Sequence, residues 1–142
     1  RKGIVRTRQQ AFDKYLGHGR PYYEAQVGAE VEQAVTAIVS CGAVPVLAHP
    51  LSLYLGWNAL EAQFALFKEQ GICGIEAWHP GARTGECIRL EELARKYGFF
   101  VTAGSDFHGP AVRADRRLGH TAGNKKIEER FYFEELLPHL KN

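Results

Sequence analysis

The chain has 142 residues, 45% hydrophobic and 24% charged, with a formal net charge of +2. That suits one soluble globular domain with its own core and excludes a strong polyelectrolyte. No stretch approaches the ~20 apolar residues of a transmembrane helix, no signal-peptide pattern opens the chain, and Arg116-Arg117 and Lys125-Lys126 read as solvated surface.

Residues 1–30 read as a basic helical piece with Ala11, Phe12, Tyr15 and Leu16 as its apolar face, ended by the loop Gly17-His18-Gly19-Arg20-Pro21. From residue 31 a unit repeats three times: an amphipathic helix, a glycine, then a short apolar run ending in polar residues. In the first unit Val31, Val35, Ile38 and Val39 share one helical face, and Gly42 follows as a C-terminal cap. Residues 44–48 then read as a buried strand ending at His49-Pro50, with Pro45 better suited to its start than its middle. In the second unit Leu60, Phe64 and Phe67 share a face, Asn58 and Glu61 are spaced like a capping box, and Gly71 ends the helix. A strand over 72–77 follows, with Glu76 and His79 at its far end. The third unit has Leu90, Leu93, Ala94 and Tyr97, then Gly98, then a strand over 99–103 running into Ser105-Asp106-Phe107-His108-Gly109. Beyond Gly109 the chain is polar, with a short helix predicted over 133–137 docking the C-terminus.

Strands alternating with helices predict an α/β fold with parallel strands and right-handed crossovers. In such folds functional groups gather at the C-terminal strand ends, and His49, Glu76, His79, Asp106 and His108 all fall there. Imidazole nitrogens and carboxylate oxygens suit divalent zinc, manganese or iron. If residues 106–108 are extended, Asp106 and His108 point to the same side and can share a metal. Bound metals lower the pKa of water and clamp phosphoryl oxygens, as phosphoester hydrolysis requires. Other roles stay open for single residues: Glu76 in a core ion pair, His79 packed under a loop or touching substrate. His18, His120 and His139 lie outside the pattern. The three cysteines, Cys41, Cys73 and Cys87, have no CxxC spacing. Cys41 and Cys73 read as buried thiols, which fits a reducing, cytoplasmic setting.

Three segments carry a family resemblance: Val46-Leu47-Ala48-His49-Pro50, Gly74-Ile75-Glu76-Ala77-Trp78-His79-Pro80 and Gly104-Ser105-Asp106-Phe107-His108-Gly109. They resemble the later motifs of PHP (polymerase and histidinol phosphatase) domains. More narrowly, they are similar to the nucleotide phosphatase branch that includes RNase AM and 3′,5′-nucleoside bisphosphate phosphatases. The segment from Arg8 to Tyr23 is similar to the end of that branch's helical insertion.

The resemblance implies the C-terminal part of a distorted (βα)7 barrel, with 1–30 closing an insertion and 31–142 supplying the βα units. It implies a metal-dependent phosphoesterase acting on 3′,5′-bisphosphonucleotides or short RNA through metal-activated water, with up to three Mn, Zn or Fe ions. His49, Asp106 and His108 match the family's late metal ligands, and Glu76 and His79 match its substrate-facing loop. Arg83, Arg113 and Arg116 are candidate phosphate contacts, because a guanidinium matches phosphate geometry.

The family's N-terminal His-x-His motif is not found in the chain, and neither is any methionine. The chain therefore reads as part of a longer polypeptide whose preceding half carries the first barrel strands and most ligands. Alone it is expected to be inactive, and its incomplete barrel to favour dimers. Competing readings are another PHP activity, such as histidinol phosphate hydrolysis or polymerase-associated exonuclease action, and a non-catalytic βα module that binds nucleotide or protein.

Overall fold

The computed structural model describes residues 3–25 and 28–140. A short helix α1 (Arg8–Ala11) runs into a π-helical turn (Phe12–Leu16). Helix α2 (Val31–Ser40), strand β1 (Val46–Leu47), helix α3 (Trp57–Glu69), strand β2 (Gly74–Trp78), helix α4 (Thr84–Lys96) and strand β3 (Phe100–Ala103) follow. A π-helical segment (Phe131–Leu136) leads into the terminal α5 (Leu137–Leu140). The strands form one parallel sheet in the order β1-β2-β3, so the repeated βα unit read from the sequence is present.

The core forms where the predicted helix faces meet the sheet. Leu60, Phe64 and Phe67 of α3, and Leu90 and Ala94 of α4, bury against Ile75, Ala77 and Val101. Each large side chain among them contributes roughly 1.5–3 kcal/mol of burial. Gly42, Gly71 and Gly98 all take positive φ where a helix hands over to a strand, as the spacing predicts.

The C-terminal segment closes one edge. The Glu135 carboxylate accepts the backbone N–H of Val101 at 3.0 Å and pairs with Arg95. Glu91 accepts from Trp78 Nε1 at 2.6 Å and from Arg130 Nη1 at 3.1 Å. On the other side of the sheet, β1 pairs only with β2 among the described residues.

Several local expectations are corrected. The first strand covers only Val46–Leu47, because Pro45 has no N–H and instead accepts from Cys73 and Gly74 through its carbonyl. Helix α3 begins two residues earlier than a cap at Asn58 requires. Its N-cap is Gly56, and Glu61 instead pairs with Lys96 at 2.6 Å. Of the α2 face only Val35 is buried, while Ile38 and Val39 are exposed. Cys41 caps α2 at the surface and Cys73 is half-buried; Cys87 is the buried thiol.

Candidate functional site

Parallel strands joined by helices deliver their C-terminal ends to one side. His49 follows β1, Glu76 lies in β2 with His79 just beyond, and Asp106 and His108 follow β3. The register slips between Glu76 and Trp78 against β3, a bulge beside the residues that leave the sheet. His49, Glu76, His79 and Asp106 share the wall of a cleft of about 320 Å³.

Two of these residues hold backbone conformations that only glycine adopts freely. His49 has φ 33° and Asp106 has φ 47°. Such positions cost about 1–3 kcal/mol each and collect at functional sites. The left-handed turn at Asp106 also corrects the extended geometry expected for residues 106–108. His108 instead folds back, its Nδ1 2.8 Å from the Asp106 carbonyl oxygen.

Asp106 is the electrostatic hub. Arg113 Nη1 lies 3.4 Å, Arg116 Nε 3.5 Å and His79 Nε2 3.6 Å from its Oδ2, while His108 Nδ1 lies 3.4 Å from Oδ1. Arg116 is largely buried and donates to the Pro80 carbonyl at 3.0 Å, yet its Nε makes no hydrogen bond. Arg113 also forks onto Asp115, and that contact pulls the exposed Asp115 carboxyl down to about 2. Arg83 stays apart, exposed at the start of α4 with its backbone N–H on Glu86.

Glu76 and His79 have separate environments. The Glu76 carboxylate accepts the backbone N–H of His49 at 2.8 Å, and its other oxygen lies against Gly104, where a Cβ would overlap it. His79 takes the Gly81 backbone N–H on Nδ1 at 3.0 Å. Burial lowers its pKa against the opposing pull of Glu76 and Asp106. Ser52 was not singled out in the sequence, although its Oγ lies 2.9 Å from His49 Nδ1. Its place one helical turn after His49 was the available signal.

The donor chemistry fits part of a divalent-metal site. A histidine that ligates through Nε2 ordinarily donates Nδ1–H to an oxygen. His108 Nδ1 faces a carbonyl and His49 Nδ1 a hydroxyl, leaving each Nε2 able to carry a lone pair. A complete cage is not present: among the described residues no three His, Cys, Asp or Glu side chains converge on one point. No helix among them is long and apolar enough to cross a membrane.

No family model matches the chain. It is 33% identical over 119 residues to a 3′,5′-nucleoside bisphosphate phosphatase of Chromobacterium violaceum, covering 84% of this chain and 41% of that protein. It is 31% identical over 123 residues to the 5′-3′ exoribonuclease Rnm of Escherichia coli, covering 85% and 42%. Among solved structures, an amidohydrolase from Chromobacterium violaceum, with bound sulfate and no metal, superimposes with a TM-score of 0.72 at 27% identity, over 98% of this chain and 46% of that one. A protein described as a metal-dependent phosphoesterase from Bifidobacterium adolescentis gives 0.68 at 26%, over 96% and 46%. The chain thus spans less than half the length of these relatives. Their names match the resemblance read from the motifs: the chain is related to bacterial phosphoesterases and exoribonucleases.

Proposed function

Starting from that relationship to bacterial phosphoesterases, we propose that the chain is part of a metal-dependent enzyme releasing phosphate or nucleotides from 3′,5′-bisphosphonucleotides or short RNA. The observation that carries the reading is the hub at Asp106. A carboxylate in a strained turn sits at the strand ends beside two histidines and two arginines, on the wall of an open cleft.

His49 Nε2, His108 Nε2 and the Asp106 carboxylate would each supply a donor to the metal cluster, with the remaining donors from elsewhere in the intact protein. When bound, manganese, zinc or iron supplies an acidified water and charge neutralisation at the phosphoryl oxygens. Up to three ions are proposed, in line with the motif resemblance. Arg113 and Arg116 supply the phosphate contacts. Arg116 brings a buried Nε–H that makes no hydrogen bond, and Arg113 has an exposed carboxylate it can exchange for phosphate. The sulfate held by the Chromobacterium violaceum neighbour supports a site for a tetrahedral anion. Glu76 fixes the His49 backbone, and its second oxygen is closed off by Gly104.

The test is turnover by the intact protein, with and without a chelator, on a 3′,5′-bisphosphonucleotide, a short 5′-phosphorylated RNA and histidinol phosphate. Chelator-sensitive release from the first or second is expected. Preference for histidinol phosphate, or activity indifferent to chelation, would sink the reading.

A further inference from the structure

We infer that His79 is a positioning residue: its Nε2–H faces the Asp106 carboxylate at 3.6 Å and orients it electrostatically for a cation, while His79 itself is kept from binding that cation. The inference rests on the metal-site reading above and deepens it.

Three histidine rings meet at this cluster, and the backbone sorts them. His108 Nδ1 lies 2.8 Å from the Asp106 carbonyl oxygen, which can only accept, so this nitrogen carries the proton and Nε2 the lone pair. His49 Nδ1 faces the Ser52 hydroxyl at 2.9 Å, a partner that donates or accepts as needed. His79 is the reverse of His108. Its Nδ1 accepts from the Gly81 N–H at 3.0 Å, so the neutral ring has its proton on Nε2.

That Nε2–H is buried and makes no hydrogen bond, and it lies 3.6 Å from Asp106 Oδ2. For His79 to ligate through Nε2, its proton would have to move to Nδ1. Two N–H groups would then face each other across 3.0 Å, and the hydrogen bond between Gly81 and the ring would be lost. Ligation through Nδ1 would displace the Gly81 N–H instead.

The surrounding turn enforces the arrangement. A Cβ at Gly81 would lie 2.9 Å from both Nδ1 and Cε1 of His79, so only glycine lets this backbone meet the ring. Arg116 donates to the neighbouring Pro80 carbonyl and brings its Nε to 3.5 Å from the same Asp106 oxygen. His79, Arg113 and Arg116 thus all face Oδ2, whereas Oδ1 is approached by His108 Nδ1 at 3.4 Å, whose proton is already directed to the Asp106 carbonyl, so Oδ1 is the oxygen more open to a cation.

Zn²⁺ binding to the intact protein distinguishes the possibilities. His79→Gln keeps an N–H donor at similar reach, whereas His79→Leu keeps bulk without one. The Zn²⁺ dissociation constant should rise about 10–100-fold in His79→Leu, the usual effect of losing a group that orients a ligand, and stay near wild type in His79→Gln. The number of Zn²⁺ ions bound at saturation should be unchanged in both. A loss of one ion in both variants would make His79 a ligand, and an unchanged constant in His79→Leu would reduce it to packing; either overturns the inference. Wild-type protein that binds no Zn²⁺ overturns the site reading itself, an outcome seen before any variant is made. Nitrogen NMR of the wild type adds a readout that does not depend on the variants folding. The His79 ring, assigned through its own β-carbon, should be the Nε2–H tautomer with and without Zn²⁺, and an Nδ1–H form would overturn the inference.

Discussion

The carboxylate of Glu76 accepts the backbone N–H of His49 at 2.8 Å, tying the end of β1 to the end of β2. The bond fixes a residue whose φ of 33° is unfavourable for any side chain but glycine. Removing the acceptor in Glu76→Ala should cost about 1.5–3 kcal/mol, because it removes a hydrogen bond to a charged group that pins a strained turn. Glu76→Gln retains an oxygen and should cost less. Gly104→Ala should resemble Glu76→Ala, since the added Cβ occupies the place of the Glu76 carboxylate. Urea unfolding of the three variants checks the order, and a Glu76→Ala as stable as wild type would show the bond to be incidental.

Asp106 separates charge from backbone. Asparagine and aspartate visit the left-handed region more readily than other non-glycine residues, because their short polar side chains bond locally. Asp106→Asn should therefore fold normally while losing the charge that Arg113 and Arg116 surround. Divalent-metal binding should weaken sharply in calorimetric titration, with little change in the thermal midpoint. Asp106→Val should lose metal binding and also about 1–3 kcal/mol of stability, because a β-branched residue resists φ 47°. Equal stability of the two variants would argue against strain at this position.

The C-terminal clasp should make stability fall in acid. The Arg95 contact holds the Glu135 carboxyl below its ordinary value of 4.5, helped by the Val101 N–H. Burial pushes Glu91 up, but hydrogen bonds from Arg130 and Trp78 outweigh it and leave the group lowered. A depressed folded-state pKa contributes stability that is complete above the unfolded value and lost as pH falls through the folded one. The urea midpoint should hold steady down to pH near 5 and drop below pH 4.5. Glu135→Gln should start lower at pH 7 and show a shallower drop. A drop of equal size in Glu135→Gln and wild type would place the acid sensitivity elsewhere.

The sequence made the architecture legible wherever the signal was local. The spacing of Leu60, Phe64 and Phe67 reports a helix face directly, and Gly71 and Gly98 mark where helices stop. The rule that strand ends share one side brought His49, Glu76, His79 and Asp106 together before any coordinates. Misreadings came where a side chain had a distant partner. Glu61 looked like half of a capping box, but its partner Lys96 lies a whole βα unit away. Residues 106–108 looked extended because nothing local announces a left-handed aspartate, whose carboxylate is met by arginines further along the chain. Ring tautomers were out of reach for the same reason, since they depend on which backbone group each nitrogen meets.

A close approach of backbone to ring between β2 and β3 gives a last prediction. At Gly74, the first residue of β2, an added Cβ would land inside the ring of Phe100 on the neighbouring strand. The ring cannot retreat freely, because its other neighbour His139 stacks on it at 4.4 Å between centroids. Gly74→Ala should therefore destabilise by about 1–3 kcal/mol through overpacking, despite the better intrinsic strand propensity of alanine over glycine. Phe100→Leu alone should also destabilise, by leaving part of the ring's volume empty. Together the two changes should fit better than their sum, since the smaller side chain makes room for the new methyl. A double-mutant cycle in urea should show a coupling of about 0.5–3 kcal/mol in the compensating direction. Additive losses would mean that the sheet shifts as a whole to admit the methyl, and that the packing of Phe100 does not fix the distance between β2 and β3.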